Sequence, residues 1–211
     1  MAKALDANGA KAVYILGRRE GSLKSAAAQC PNGTVIPIVG DVTSKSSLAS
    51  IASRVKQEHG FVNVVFANSG VGGCGITDKL PQDRKPSLKE YVDALWEVPM
   101  EDFTQTMHVN VTGAFYTALA FMELLDEGNR KGNVRQQSQV IVTSSVAGFN
   151  RSLSHNPSYP ASKAAVVNIV KTLATRLGPY HIRVNTIAPV RFLLYVLRAM
   201  ADNHRACIHR R

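Results

Sequence analysis

Short, continuous apolar runs alternate with helical patterns along most of this chain, and this alternation limits the folds that it can adopt. The apolar runs of strand length lie at 12–16, 35–39, 62–67, 140–143 and 182–187. Runs that are apolar throughout are typical of parallel strands that are buried on both faces. The pattern therefore predicts an α/β fold, built as a three-layer, doubly wound parallel sheet of the Rossmann type.

The segments between these runs have helical character. Apolar residues at Leu48, Ile51, Ala52 and Val55 recur at helical spacing within 44–59. Further helices are predicted at 2–7, 22–29, 88–97, 158–177 and, as one long helix, 100–127. Residues 74–90 are polar and contain proline, which predicts a surface excursion.

Composition excludes several classes of protein. No apolar run reaches the roughly 20 residues of a membrane span, so no membrane partner is predicted. The formal charge of +10 is dispersed and has no zinc-finger, RNP or basic-helix pattern with it, so no nucleic-acid partner is predicted. The cysteines and histidines lack metal-ligand spacing, so no metal is predicted. An odd number of widely spaced cysteines favours a reducing compartment, and a cytoplasmic location is predicted.

Polar or conformationally special residues follow each predicted strand. Ligands of doubly wound sheets gather beyond the carboxyl ends of the strands. We therefore predict a shared cleft at this edge, formed by Arg18, Asp41, Asn68 with Gly70, Ser144 with Ser145, and Pro189.

Each of these positions also has a structural explanation. Arg18 fits a solvated surface, Asp41 a helix cap, and Asn68 with its following glycines a simple turn. Asn110, in the predicted long helix, fits a side chain that points to solvent. Ser145 fits a loop hydroxyl that caps its own backbone.

Tyr159 and Lys163 lie four residues apart, which places them one turn apart on one face of a helix. Lowering the pKa of a phenol from about 10 to about 7 takes roughly 4 kcal/mol. A unit charge at about 4 Å, with an effective dielectric near 20, supplies roughly 4 kcal/mol. The charge of the lysine could therefore lower the pKa of the tyrosine enough for proton exchange near neutral pH. The spacing alone is also compatible with an exposed helix and an ordinary lysine.

The joint pattern resembles the short-chain dehydrogenase/reductase family over roughly residues 1–189. Three segments between residues 40 and 113 are similar to family motifs: 40–42 (GDV) to the strand end that contacts the adenine, 67–70 (ANSG) to the NNAG turn, from which it differs at two positions, and 108–113 (HVNVTG) to the segment with the active asparagine. Three more follow: 140–145 (VIVTSS) is similar to the strand that ends in the active serine, 158–163 (SYPASK) to the YxxxK segment, and 183–189 (RVNTIAP) to the RVNxIxPG stretch.

The resemblance implies a set of catalytic residues. Tyr159 would be the general acid or base, and Lys163 would lower its pKa and hold the nicotinamide ribose. Ser145 would bind the substrate carbonyl or hydroxyl oxygen, and Asn110 would hold a water that relays protons to Lys163. The substrate would be a small-molecule carbonyl compound or alcohol, and the loop at 146–158, with Phe149 and Leu153, would line its pocket.

The resemblance also implies a nicotinamide cofactor. Its contacts would be Arg18, Asp41, Val42, Asn68, Gly70, Tyr159, Lys163 and Pro189. NADP(H) is predicted as the preferred cofactor, because an arginine after the strand matches a 2′-phosphate, and NAD(H) is the alternative.

Two departures from the family pattern affect the expected organisation. We find no central first strand with its glycine-rich turn, and after Pro189 the family's last strand is not recognisable. We therefore expect 1–189 to be an incomplete, truncated dinucleotide-binding domain and 190–211 a basic tail, helical or disordered. The alternative to an enzyme is a non-catalytic remnant that acts through its dimerisation helices, since the intact family forms homodimers or homotetramers.

Overall fold

Parallel strands alternate with helices along residues 1–151 and 157–190, which are the residues that the computed structural model describes. The strands there are β1 (Val13–Gly17), β2 (Val35–Val39), β3 (Val64–Ala67), β4 (Gln139–Thr143) and β5 (Arg183–Ile187). The α-helices are α1 (Ala2–Ala7), α2 (Glu20–Ala28), α3 (Lys45–His59), α4 (Leu88–Trp96), α5 (Met100–Met107), α6 (Ala114–Ala120), α7 (Met122–Lys131) and α8 (Ser158–Leu177). The interpretations of Leu153 and of the tail beyond Val190 lie outside the described residues.

The described strands form two parallel sheets. β1 pairs with β2, and β4 lies between β3 and β5. The pairing puts Val13 opposite Val35, Val65 opposite Val140 and Val142 opposite Thr186. Because all pairs are parallel, the carboxyl ends of β3, β4 and β5 lie at one edge. The predicted α/β class and parallel strand direction are confirmed.

The main core fills one face of the larger sheet. Val65 and Ala67 of β3, Val140 and Val142 of β4 and Val184 of β5 alternate along their strands, and each is under 9% exposed. They pack against α6 and α8, which contribute Ala118, Val166 and Val170. The intervening residues, such as Phe66 and Ile141, are only half-buried. The described residues therefore bury one face of this sheet more deeply than the other.

Helix ends follow the local sequence. The Ser44 hydroxyl caps α3 by accepting from the Ser47 backbone N–H at 3.2 Å. Gly60 ends that helix with φ = 78°, a left-handed conformation that costs glycine little. Pro160 is the third residue of α8, so its missing N–H falls among those that have no partner within a helix.

The prediction of one long helix at 100–127 was wrong. The chain forms α5, then a π-helical segment at His108–Gly113, then α6 and α7. A break at Phe121, with φ = −111°, separates α6 from α7. Helix α7 continues to Lys131, and Gly132 ends it with φ = 58°. A hydrophobic period of about 3.6 residues cannot distinguish a continuous helix from one that contains a π turn.

The segment at 74–90 is less superficial than predicted. Ile76 is fully buried, and it packs with Leu80 and with Ala94 of α4 as a small separate core.

Across residues 1–151 and 157–190, no helix has both the length and the apolar character needed to cross a membrane.

Candidate active site

Tyr159 and Lys163 face the same side of α8. The Lys163 Nζ atom lies 5.7 Å from the centroid of the Tyr159 ring. The geometric part of the prediction is therefore confirmed, because the helix places the ammonium beside the aromatic ring. An ammonium at this distance from the ring centroid is attracted by the aromatic ring.

Lys163 is a buried cation. The residue is 4% exposed, and its Nζ donates to the backbone carbonyl of Thr143, the last residue of β4, at 2.7 Å. Burial lowers the pKa of Lys163 from 10.5 to about 8, because desolvation penalises the charged form. The side chain is consequently still mostly protonated at pH 7. Its ammonium group has further N–H donors with which to hold a ligand oxygen.

The loop after β4 is fastened to α8 at Lys163. The Ser144 hydroxyl donates to the backbone carbonyl of Lys163 at 2.9 Å. A Cβ atom placed on Gly148 would lie 2.8 Å from the carbonyl carbon of Lys163, so only glycine fits there. Ser145 lies between Ser144 and Gly148 in the chain, so it is carried by a loop that is fixed to α8 on both sides of it.

Ser145 also caps a short 3₁₀ turn at Val146–Gly148. Its Oγ atom accepts from the Ala147 backbone N–H at 3.2 Å. The local-cap interpretation of this serine is therefore correct. It is compatible with a catalytic role, since a hydroxyl that accepts one hydrogen bond still has its own proton to donate.

Asn110 lies inside the protein and does not point to solvent. It is 1% exposed and sits in the π-helical segment. Its Oδ1 accepts from the Val71 backbone N–H at 2.8 Å, while its Nδ2 donates to the Val71 carbonyl at 2.9 Å and to the Ser162 Oγ at 2.9 Å. The Ser162 hydroxyl in turn donates to the Tyr159 carbonyl at 2.7 Å. Asn110 therefore joins the turn after β3 to the first turns of α8.

The turn after β3 reaches the same cluster. A Cβ atom on Gly70 would lie 3.1 Å from the Asn110 Oδ1 and 3.5 Å from the Lys163 Nζ. The side chain of Asn68 accepts from the Thr143 hydroxyl at 2.9 Å. The carboxyl ends of β3 and β4 are thus bridged by side chains, with Lys163 beneath the turn.

The remaining predicted cofactor residues lie at the ends of other strands. Arg18 follows β1 and is exposed. The Asp41 carboxylate accepts from the Thr43 backbone N–H at 2.9 Å and from the Thr43 hydroxyl at 2.7 Å. These hydrogen bonds hold the pKa of Asp41 below its ordinary value, and the charges of Arg18 and His108 lower it further. Asp41 forms this local turn, while the helix cap that we considered for it is made by Ser44 instead.

Val42 and Pro189 complete the predicted set. A Cβ atom on Gly113 would lie 3.1 Å from the Val42 Cγ2, which places Val42 against the end of the π-helical segment. The carbonyl of Pro189 accepts from the Val146 N–H at 3.2 Å, joining the end of β5 to the loop after Ser145.

Several supporting residues were missed from the sequence. Thr143 and Val71 contribute backbone atoms, which leave no side-chain signature in a sequence. Ser162 lies within the SYPASK segment but attracts no attention as a serine in a helix. Gly148 carried the only usable signal, a glycine shortly after a strand end.

The described residues fit the ribose and nicotinamide end of a dinucleotide. A buried ammonium with donors to spare faces a turn in which Gly70 leaves no side chain above it. Lys163 and Tyr159 would hold ribose hydroxyls there. Arg18 and Asp41 lie at the ends of two other strands, where an adenosine would be held.

Comparisons with known proteins show the family of this chain. The family model for short chain dehydrogenase matches residues 1–198. The short-chain dehydrogenase/reductase PhomF′ of Diaporthe leptostromiformis is 43% identical over 188 residues, which cover 89% of this chain and 63% of that protein. The chain therefore spans less than two thirds of the length of this relative. It belongs to the short-chain dehydrogenase/reductase family.

Solved structures show the same fold. An active-site complex of Pseudomonas aeruginosa RhlG with NADP matches with a TM-score of 0.75 at 25% identity, covering 97% of this chain and 72% of that one. An NAD⁺-bound xylitol dehydrogenase matches with a TM-score of 0.71 at 26% identity, covering 90% of this chain and 64% of that one. The Rossmann-type prediction is thus confirmed.

Proposed function

We propose that this protein catalyses NADP(H)-dependent hydride transfer to or from a small carbonyl compound or secondary alcohol. The observation that carries the proposal is the Lys163 ammonium, buried and held by the Thr143 carbonyl, beside the Tyr159 ring. A bound nicotinamide would supply or accept the hydride. Family membership supports an oxidoreductase, while the cofactor preference and the substrate class are parts of the proposal.

Each side chain has a separate task in this proposal. Tyr159 moves the proton at the substrate oxygen, as an acid in reduction and as a base in oxidation. Lys163 places its positive charge beside the Tyr159 ring and binds the ribose hydroxyls. Ser145 donates its proton as a hydrogen bond to the substrate oxygen. Asn110 holds the turn at Val71 in place and, through a water, would connect Lys163 to solvent.

The preference for NADP(H) rests on Arg18. It is exposed at the end of β1 and close enough to Asp41 to influence that carboxylate. A guanidinium matches the geometry and charge of a phosphate. The similar structures carry NADP in one case and NAD⁺ in another, so the fold alone does not select between them.

Cofactor titration tests the proposal directly. The purified 211-residue chain is titrated with NADPH and with NADH by isothermal titration calorimetry, and turnover is measured with a generic ketone or quinone. We expect NADPH to bind more tightly than NADH. Equal or tighter NADH binding would overturn the NADP(H) preference, and lack of affinity for either dinucleotide would overturn the enzymatic proposal.

The second candidate is a non-catalytic role in which α5, α6 and α8 bind another copy of the chain. Phe103 of α5 and Leu119 of α6 are 43% and 41% exposed, which leaves apolar surface on these helices. A soluble oligomer without dinucleotide affinity, measured by light scattering and titration, would favour this role.

The cytoplasmic location and the domain boundary at residue 189 also stay predictions.

A further inference from the structure

A cavity of about 580 Å³ opens beside the loop that follows Ser145. Its volume lies within the range of roughly 300–1,000 Å³ that is usual for small-molecule sites. The described lining residues are Val146, Phe149, Asn150 and Arg151. None of these side chains has a role in the proton transfer described above.

The wall of this cavity is held against the candidate active site. Val146 donates to the Pro189 carbonyl, and Gly148 packs directly on the backbone of Lys163 and Ala164. Phe149, Asn150 and Arg151 follow Gly148 without interruption. A substrate whose reacting oxygen is at Ser145 would therefore extend along this wall.

The lining combines an apolar ring with a cation. Phe149 is 63% exposed, a large apolar surface to leave in water, and Arg151 is also exposed. Within residues 1–151 and 157–190, no ion pair includes Arg151, which it has in common with the exposed Arg18, Arg135 and Arg176. Arg151 differs from these arginines because it lines the cavity. As far as the described residues go, the planar guanidinium of Arg151 has no carboxylate partner, and its N–H donors match the geometry of an anion.

We infer that Arg151 binds an anionic group of the substrate, a carboxylate, while Phe149 packs against the apolar body of the same molecule. The substrate class is then a carbonyl compound or secondary alcohol with an apolar, preferably aromatic, body that carries a carboxylate. This inference rests on the proposed oxidoreductase function. The net charge of +10 supports it, because a positive field raises the rate of encounter with an anion.

A matched pair of ketones tests the inference. The probes are 4-acetylbenzoate and its methyl ester, which differ in the carboxylate charge but share the aromatic ketone. Binding of each probe to the chain is measured by ligand-observed NMR of the acetyl methyl signal, and turnover is measured separately by NADPH oxidation. Binding does not depend on hydride transfer, so it can support the inference even if turnover fails.

Three variants and one control make the test specific. Arg151→Ala removes the charge, Arg151→Lys keeps the charge without the planar fork, and Arg151→Glu reverses it. Arg135→Ala removes an exposed arginine at the opposite end of β4, four residues before Gln139. The control thus changes the net charge equally without changing the cavity.

We expect the parent chain to bind the carboxylate about tenfold more tightly than the ester at low salt, the usual size of a charge-assisted hydrogen bond. Arg151→Ala should abolish this preference, Arg151→Glu should reverse it, and Arg151→Lys should keep part of it. Arg135→Ala should leave it within about twofold, and about 0.15 M salt should reduce it.

Four outcomes are decisive. Equal binding of the two probes, an equal effect of Arg135→Ala and Arg151→Ala, or no binding of either probe would overturn the inference. Preferential carboxylate binding that depends on Arg151 but occurs without turnover of either ketone would support the anion site and count against the proposed catalytic function.

Discussion

The side-chain amide of Asn110 binds both backbone polar groups of Val71: its Oδ1 accepts from the Val71 N–H at 2.8 Å, and its Nδ2 donates to the Val71 carbonyl at 2.9 Å. The two residues are 39 positions apart in the chain. A third hydrogen bond, to the Ser162 hydroxyl, extends the link to α8. The geometry between the turn after β3 and the Tyr159–Lys163 pair therefore depends on one buried amide.

Asn110→Ala should destabilise the fold because it removes three hydrogen bonds and leaves part-buried backbone groups of Val71 without these partners. A buried group left unsatisfied costs about 1–3 kcal/mol, so we expect a loss of about 2–4 kcal/mol in the free energy of unfolding. Urea denaturation followed by circular dichroism measures it. Asn168→Ala, at an exposed position of α8, is the control and should change stability by less than about 0.5 kcal/mol. A comparable loss in both variants would contradict the proposed role of Asn110.

Burial of Lys163 predicts a specific dependence of stability on pH. Its pKa is about 8 in the folded protein and 10.5 when unperturbed. The penalty for burying the charge is therefore fully present below about pH 8 and is relieved as the pH rises towards 10.5, because the unfolded chain then binds more protons. Relative to Lys163→Met, the parent should gain up to roughly 3 kcal/mol across this range. Chemical denaturation at a series of pH values measures the difference.

The matched control for this prediction is Lys171→Met, at an exposed lysine on the same helix. It should follow the stability profile of the parent chain. If Lys163→Met gave that same profile, the buried cation would not be the source of the pH dependence.

Tyr159→Phe should remove turnover while leaving cofactor binding nearly intact. A general acid or base contributes about 10²–10⁴-fold to the rate, and phenylalanine retains the ring that faces Lys163 but lacks the exchangeable proton. NADPH affinity should change by less than about tenfold, since a single hydrogen bond contributes about 0.5–1.5 kcal/mol of net free energy. Steady-state kinetics and calorimetry measure the two effects separately. The control is Tyr180→Phe, because Tyr180 is 61% exposed and lies beyond the far end of α8; this variant should retain full activity. Retained turnover in Tyr159→Phe would exclude the role assigned to Tyr159.

Arg18→Ala should weaken NADPH binding selectively. Loss of a guanidinium–phosphate contact should cost about tenfold in affinity for NADPH and leave NADH affinity unchanged, because NADH lacks the 2′-phosphate. Arg176→Ala, an exposed arginine in the last turn of α8, is the charge-matched control. Titration of all three proteins with both dinucleotides measures the selectivity. Equal weakening for NADPH and NADH would mean that Arg18 contributes only general charge.

Gly148→Ala should destabilise the loop that carries Ser145. The added Cβ would lie 2.8 Å from one Lys163 backbone atom and 2.9 Å from two others of Lys163 and Ala164, so either the loop or α8 must shift. We expect a loss of about 1–3 kcal/mol in stability, as for other overpacked sites. Gly21→Ala in α2 is the control, because a Cβ there meets nothing within 4 Å and alanine favours helix. It should stabilise the protein by up to about 1 kcal/mol, and thermal melts of both variants test this contrast.

Much of the fold was predictable because its signals are local. The apolar run at 35–39 and the capped helix at 44–59 match β2 and α3 to within one residue. The long helix was the main error, since neither the π-helical segment around Asn110 nor the break at Phe121 changes the hydrophobic period. The neighbouring Tyr159 and Lys163 side chains were also predictable, because one helical turn separates them.

The amino-acid sequence by itself determined the parallel α/β class, the positions of the strands and the set of polar residues at their carboxyl ends. Tertiary structure alone decided which of these residues meet. Asn110 reaches Val71 and Ser162, 39 and 52 residues away, and Lys163 reaches the Thr143 carbonyl, 20 residues away. Such contacts depend on backbone atoms and on burial, and neither leaves a periodic pattern in the sequence from which it could be predicted. The same burial lowers the pKa of Lys163 and keeps Asn110 from solvent.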